Sequence, residues 1–233
     1  MVKKIRTVFI FSAVFALAYS CQQIEPKLYA EYFAVIKSGA GEKYFYTDDG
    51  LSLYPPKFDP KWGEAGDRIL VGFFYNPVGL TEETTGLAVS VDNLARIPTH
   101  KSALPPTAAD SVMTGKFLFD ASQNITAAAW AAQNYLTVQF WVKYNDAAKH
   151  TFGFIEENEK YKNDTLFLRL WHNSKETNEN KSSYNYIALD LVNYADVLNY
   201  ADSTVISLKY DVTNAGTNEE KVEYATYYRK SGF

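Results

Sequence analysis

The chain has 233 residues with 23 Lys and Arg against 27 Asp and Glu, a net charge of −4, and only one Cys among 18 Tyr and 15 Phe. A single cysteine excludes a disulfide-stapled scaffold, and the acid excess argues against a phosphate-tracking partner, so nucleic acid is not expected. Aromatic and β-branched residues fit pleated, half-buried surfaces, which predicts a mostly β protein.

The first element is a leader. Lys3, Lys4 and Arg6 precede an apolar run from Thr7 to Ala18, and Leu17-Ala18-Tyr19-Ser20 places small residues directly before Cys21. This is the pattern of a lipoprotein signal peptide over residues 1–20, with Cys21 as the lipidated residue; the apolar run is too short for a membrane span. An exported, lipid-anchored envelope protein follows, attached to the membrane through its N-terminus. Removing the leader takes away three cations and leaves 20 Lys and Arg against 27 acids, a net −7. Glu25 is the only acid close behind Cys21, so a periplasm-facing outer-membrane position is favoured over surface export.

A short polar tether over residues 21–29 leads into a first domain over residues 30–97. Strands are predicted at Ala30–Ile36, Lys43–Thr47, Leu51–Tyr54, Arg68–Tyr75 and Leu87–Val91, with Asp48-Asp49-Gly50 as a hairpin turn. Pro55, Pro56 and Pro60 exclude a central strand in the stretch that follows. In Arg68–Tyr75, Ile69, Val71, Phe73 and Tyr75 share one face. Five short strands with one long loop suggest a small barrel or meander.

Residues 98–110 carry Pro98, Pro105 and Pro106 among small polar residues and read as a linker. Beyond it, strands are predicted at about Thr114–Phe119, Thr126–Ala131, Leu136–Tyr144, Thr151–Glu156, Thr165–Trp171, Tyr184–Leu191, Thr204–Val212 and Val222–Tyr228, with a short helix in Asn193–Asp202. Such spacing over residues 111–233 points to a β-sandwich.

Chemistry-bearing motifs are scarce. His100, His150 and His172 fall in the linker, at a strand edge and at a strand end, without a second ligand at metal spacing. His172 with Asn173 reads as a turn. The pairs Glu156-Glu157 and Glu219-Glu220 read as solvated turn charges rather than catalytic carboxylates. No nucleophile elbow or phosphate-binding loop is present, and neither an enzyme nor a cofactor is expected.

Alternation supplies the candidate site. In Leu136–Tyr144 the set Leu136, Val138, Phe140, Val142 and Tyr144 shares one face, leaving Tyr135, Thr137, Gln139, Trp141 and Lys143 on the other; Leu166, Leu168 and Leu170 oppose Phe167, Arg169 and Trp171. With the aliphatic faces in the core, Tyr135, Trp141, Phe167, Arg169 and Trp171 form a candidate binding patch. It is either covered by a loop or the first domain, or presented to a partner.

Several motifs, taken in order, resemble the NigD-like lipoproteins of Gram-negative anaerobes. They are the lipidated N-terminus, Tyr46-Thr47-Asp48-Asp49-Gly50 with Leu53-Tyr54-Pro55, Gly66-Asp67-Arg68-Ile69-Leu70-Val71, Trp130 with Asn134-Tyr135-Leu136, Leu168-Arg169-Leu170-Trp171-His172-Asn173, and Ile187-Ala188-Leu189-Asp190-Leu191. The resemblance implies an OB-like barrel followed by an immunoglobulin-like sandwich, and a role in bacteriocin immunity or an accessory step. It brings no catalytic residues. Asp110-Ser111-Val112, Asp164-Thr165-Leu166 and Asp202-Ser203-Thr204 look like the O-glycosylation triplet of exported proteins in that lineage, making Ser111, Thr165 and Ser203 candidate acceptors; each is equally an ordinary turn. The expected function is non-catalytic binding of a protein or envelope component. A carbohydrate-binding module is the alternative, and a structural lipoprotein a third reading.

Overall fold

A computed structural model describes residues 27–109, 113–118, 126–175, 181–198, 202–214 and 217–228. The leader, Cys21 and Ser111 lie outside the described residues. Strands β1 (Leu28–Gly39), β2 (Glu42–Thr47), β3 (Ser52–Tyr54), β4 (Arg68–Tyr75) and β5 (Gly86–Arg96) close into a barrel in the order β1-β2-β3-β5-β4. All pairs are antiparallel except β3 with β5, which is the OB arrangement. Ile69, Val71 and Phe73 fill the barrel with Ala34, Ile36, Phe45, Leu53 and Val89, as the period-2 pattern requires. The Asp48-Asp49-Gly50 turn forms because Gly50 takes φ +88°, and Thr47 ties it at both ends, its Oγ1 accepting from the Leu51 amide at 3.0 Å. In the proline-rich loop, Asp59 caps a short 3₁₀ turn over Pro60–Trp62, and Phe58 and Trp62 pack on Phe45.

The second unit holds β6 (Thr99–His100), β7 (Phe117–Leu118), β8 (Ala128–Ala132), β9 (Tyr135–Tyr144), β10 (His150–Lys162), β11 (Thr165–Ser174), β12 (Lys181–Asp190), β13 (Ser203–Asn214) and β14 (Thr217–Tyr228). Two leaves, β10-β11-β13-β14 and β8-β9-β12-β6, face each other, and β7 bridges β13 to β9. Leu136, Val138 and Phe140 of one leaf and Leu166, Leu168 and Leu170 of the other meet in a single core with Phe154, Ile206, Leu208 and Tyr210. Two hairpins turn without glycine. Gln133-Asn134 and Asn163-Asp164 each place both residues at positive φ, which Asn and Asp tolerate better than other side chains. A 3₁₀ turn over Leu191–Tyr194 continues into a helix over Ala195–Leu198, capped by Asp190. Of residues 98–109, Thr99–His100 pairs in parallel with β12, and Leu104 exchanges backbone hydrogen bonds with Phe154 and Glu156, so this stretch lies along the sandwich.

The two units are joined by a buried polar node. Arg68, 1 % exposed at the start of β4, sends Nη1 and Nη2 to the two carboxylate oxygens of Asp48 at 2.5 Å and Nε to Thr137 Oγ1 of the sandwich at 3.1 Å. Trp130 Nε1 donates to the same Asp48 carboxylate at 2.9 Å, and Gln133 Nε2 to the Thr47 carbonyl. An apolar layer of Val35, Ile97, Tyr135 and Ala188, with Phe33, Leu70 and Tyr186 against it, surrounds the node. Burying a guanidinium is tolerable here because three acceptor atoms meet its donors in a fixed fork.

Candidate binding surface

The five residues of the sequence-derived patch are not one surface. Strands β9 and β11 lie in opposite leaves over a shared core, so their outward side chains point away from each other. Tyr135 is buried in the joint, where its hydroxyl donates to the Gly66 carbonyl at 2.6 Å; burial, then the nearby Asp190 carboxylate, raises its pKa. Thr137, on the same face, is buried against Arg68. The barrel therefore covers one end of the β9 outer face and leaves Trp141 at the other end, half-buried and edge-on to exposed Tyr184 at 5.5 Å. From there rings run in sequence, Tyr184 to Tyr186 at 5.6 Å, Tyr186 to Phe33 at 5.0 Å and Phe33 to Trp130 at 4.8 Å. Trp141 is thus the outer end of an aromatic series that begins in the joint.

Phe167 and Arg169 share the outer face of the β10-β11-β13-β14 leaf. Register places Phe167, Ser207 and Tyr224 side by side, then Arg169, Lys209 and Val222, with Val205 and Thr226 in the row before. Tyr224 and Tyr228 are 67 % and 71 % exposed, and Val205 and Val222 are also exposed. Three carboxylates from β10, β13 and β14 meet Arg169: Glu157 at 3.0 Å, Asp211 at 3.5 Å and Glu220 at 2.6 Å. Burial opposes the charge on Arg169, but the hydrogen bonds it donates to Glu220 and Glu157 prevail and raise its pKa. Glu157 and Glu220 are consequently ion-paired strand residues rather than the solvated turn charges expected. Tyr224 was missed because nothing in a period-2 strand marks which outward residue is left uncovered.

Trp171 sits at the far end of the same strand, lying over Gly153 on β10 so closely that a Cβ there would stand 2.7 Å from its ring. Its indole nitrogen is buried without a hydrogen-bond partner among the described residues. With His100, His150, Phe152, Asn185 and Tyr186 it lines a cleft of about 580 Å³ between the edges of β10 and β12.

Contrary to the separation expected from sequence, two histidines meet. His172 is a buried strand residue, not a turn, and its Nε2 lies 2.8 Å from His150 Nδ1, while its own Nδ1 lies 3.0 Å from the Lys116 carbonyl. A carbonyl only accepts, so His172 carries its proton on Nδ1 and accepts from His150 through Nε2. Burial, assisted by His150, lowers the His172 pKa to about 4 against the opposing bond to Lys116. Gly115 lets the preceding segment cross this ring, since a Cβ there would lie 2.6 Å from Nδ1. Among the described residues no three His, Cys, Asp or Glu side chains are arranged to hold a metal ion, and no helix is long and apolar enough to cross a membrane.

Of the candidate glycan acceptors, Ser203 is exposed at the start of β13, whereas Thr165 is half-buried beside the Asn163-Asp164 turn, its hydroxyl donating to the Asn163 carbonyl.

Residues 112–224 match the NigD-like C-terminal β-sandwich domain. No curated protein matches the chain. The solved structures that share the fold include three from Bacteroides species. A protein of unknown function from Bacteroides vulgatus is 16 % identical, with 87 % of this chain and 92 % of that one covered at a TM-score of 0.66. A candidate lipoprotein from Bacteroides fragilis is 13 % identical over 88 % and 100 %, with a TM-score of 0.65. A NigD-like immunity protein from Bacteroides caccae is 22 % identical over 82 % and 91 %, with a TM-score of 0.59.

Proposed function

We propose that this NigD-like protein, with residues 112–224 as its family sandwich domain, is a non-catalytic, lipid-anchored envelope protein. It binds a protein partner through the outer face of the β10-β11-β13-β14 leaf. The observation that carries this is the exposure of Tyr224 and Tyr228 beside Val205, Val222 and Phe167 on one outward sheet face. Tyrosine offers large contact area at low entropic cost, and exposed aromatic surface with an arginine at its margin is the composition of protein interfaces. Arg169 is already held by three carboxylates, so little ordering remains to be done on association. Bacteriocin immunity or an accessory role fits a protein that acts by binding, and the Bacteroides caccae neighbour bears an immunity name.

Anchoring rests on the leader and Cys21, with the outer membrane as the destination. Changing Cys21→Ala should move the protein from the membrane fraction to soluble or unprocessed forms. The binding reading is tested by placing a photo-cross-linking residue at position 224 in cells of the native host. Defined adducts are expected there, and Phe167→Ala should remove them without altering the melting temperature; no adduct at 224 with adducts at 141 or 186 would refute this face.

A second reading is favoured by the cleft between β10 and β12, where Trp171, Tyr186 and Phe152 stand with the polar Asn185 and His100. Such a lining suits a neutral glycan. Titration with envelope oligosaccharides should then give saturable binding that Asn185→Ala weakens while cross-linking at 224 is unchanged.

A further inference from the structure

The barrel pole farthest from the sandwich carries apolar side chains that the core does not use. Strand β1 pairs with β4 from Val35 and Arg68, in the joint, to Leu28 and Tyr75. Seven residues of strand separate the two ends, about 23 Å. At the far end Val78 is 71 % exposed and Leu28 47 %, and Tyr29, Phe74 and Leu80 are exposed with them. Tyr29 meets Phe74 edge-on at 5.4 Å, while its hydroxyl is turned back to Asn93. The loop after β4 is shaped to present its tip: Asn76 Oδ1 accepts from the Val78 amide at 2.9 Å, Gly79 turns at φ +82°, and Thr84 Oγ1 accepts from Thr81. Two aliphatic residues on a tightly built loop tip, where polar residues ordinarily stand, call for a covering phase.

The chain itself indicates which phase. Leu28 is seven residue steps beyond Cys21, and a fully extended segment of that length reaches about 25 Å. A lipid on Cys21 therefore holds Leu28 and its neighbours near the bilayer. The opposite pole could approach it only if the tether ran the whole length of the barrel with no slack. Lys27 adjoins Leu28 in sequence, whereas Glu82 and Glu83 stand in the loop after β4, so attraction to anionic headgroups is not the driving force. Aliphatic tips with a tyrosine whose polar end points away are the composition of the acyl and headgroup boundary.

We propose that this rim, Leu28, Tyr29, Phe74, Val78 and Leu80, rests in the surface of the membrane that holds the lipid anchor, and that the barrel is a rigid spacer carrying the sandwich outward. The inference depends on lipidation of Cys21. With the polar node locking barrel to sandwich, the outer leaf bearing Tyr224 is displayed at a fixed distance from the bilayer.

The test uses the full lipidated protein in vesicles of phosphatidylethanolamine and phosphatidylcholine brominated on its acyl chains. An environment-sensitive fluorophore is attached at Val78→Cys or, as reference, at Tyr224→Cys. Blue-shifted emission with several-fold stronger bromine quenching at 78 than at 224 is expected. Equal, water-like emission at both positions overturns the contact, and a blue shift at 78 without quenching overturns it in favour of a protein covering. The mass of the N-terminal peptide is read on the same sample. An unmodified Cys21 defeats the anchor reading by itself, and strong quenching at 78 would then show that the rim finds the bilayer unaided.

Discussion

Replacing Arg68 by Met keeps most of the aliphatic stem and removes the charge, so it isolates the polar node from simple packing loss. Removing one partner of a buried ion pair costs about 3–5 kcal/mol because the other charge stays behind. Asp48 keeps the Trp130 donor, and its side chain is 16 % exposed where that of Arg68 is fully buried, so the lower end applies and Arg68→Met should cost about 3 kcal/mol. Thr137 Oγ1 also loses its donor from the guanidinium. Urea unfolding followed by tryptophan fluorescence and by circular dichroism measures this directly. Because the node ties barrel to sandwich, the variant should also lose coincidence of the two probes as the units unfold separately. Asp48→Asn should cost much less in the Arg68→Met background than alone, since the stranded charge is what it removes. A loss under about 1 kcal/mol, well below the buried-pair range, or strictly additive effects of the two substitutions, would refute the reasoning.

Other expectations follow from particular contacts. A free histidine protonates near pH 6.5, whereas His172 resists until about 4; the unfolded chain therefore binds the proton first. Stability that is complete above pH 6.5 should fall by about 3 kcal/mol as pH drops to about 4. Chemical denaturation across that range checks this, and His172→Phe should flatten the slope. Gly153→Ala should destabilise by about 1–3 kcal/mol by forcing Trp171 off its seat, with a red shift of tryptophan emission; an unshifted spectrum and unchanged stability would contradict the seating. A sandwich fragment starting at Ile97 should melt several degrees above one starting at Asp110, because only the longer one keeps β6 and the Leu104 hydrogen bonds. If the Asp-Ser/Thr triplets are glycosylated in the native host, Ser203 should be modified in preference to Thr165, which peptide mass mapping resolves.

Local periodicity determined much of this protein. Alternation placed Ile69, Val71 and Phe73 in the barrel and Leu166, Leu168 and Leu170 in the sandwich, because a pleated strand must send successive side chains to opposite faces whatever it pairs with. The Asp48-Asp49-Gly50 turn was likewise legible, since only a residue without Cβ takes that φ freely. Which outward residues share a surface was not legible. Trp141 and Trp171 have the same local pattern, yet they leave opposite leaves, and Tyr135, three strand repeats before Trp141, is buried by the barrel. The meeting of His150 with His172 and of Arg169 with Glu157 depended on the register of the β10-β11 hairpin, and that of Arg169 with Asp211 and Glu220 and of Arg68 with Asp48 and Thr137 on segments distant in sequence. Alternation assigns a side chain to inside or outside; only the pairing order of the strands and the docking of one domain on the other decide what lies beside it.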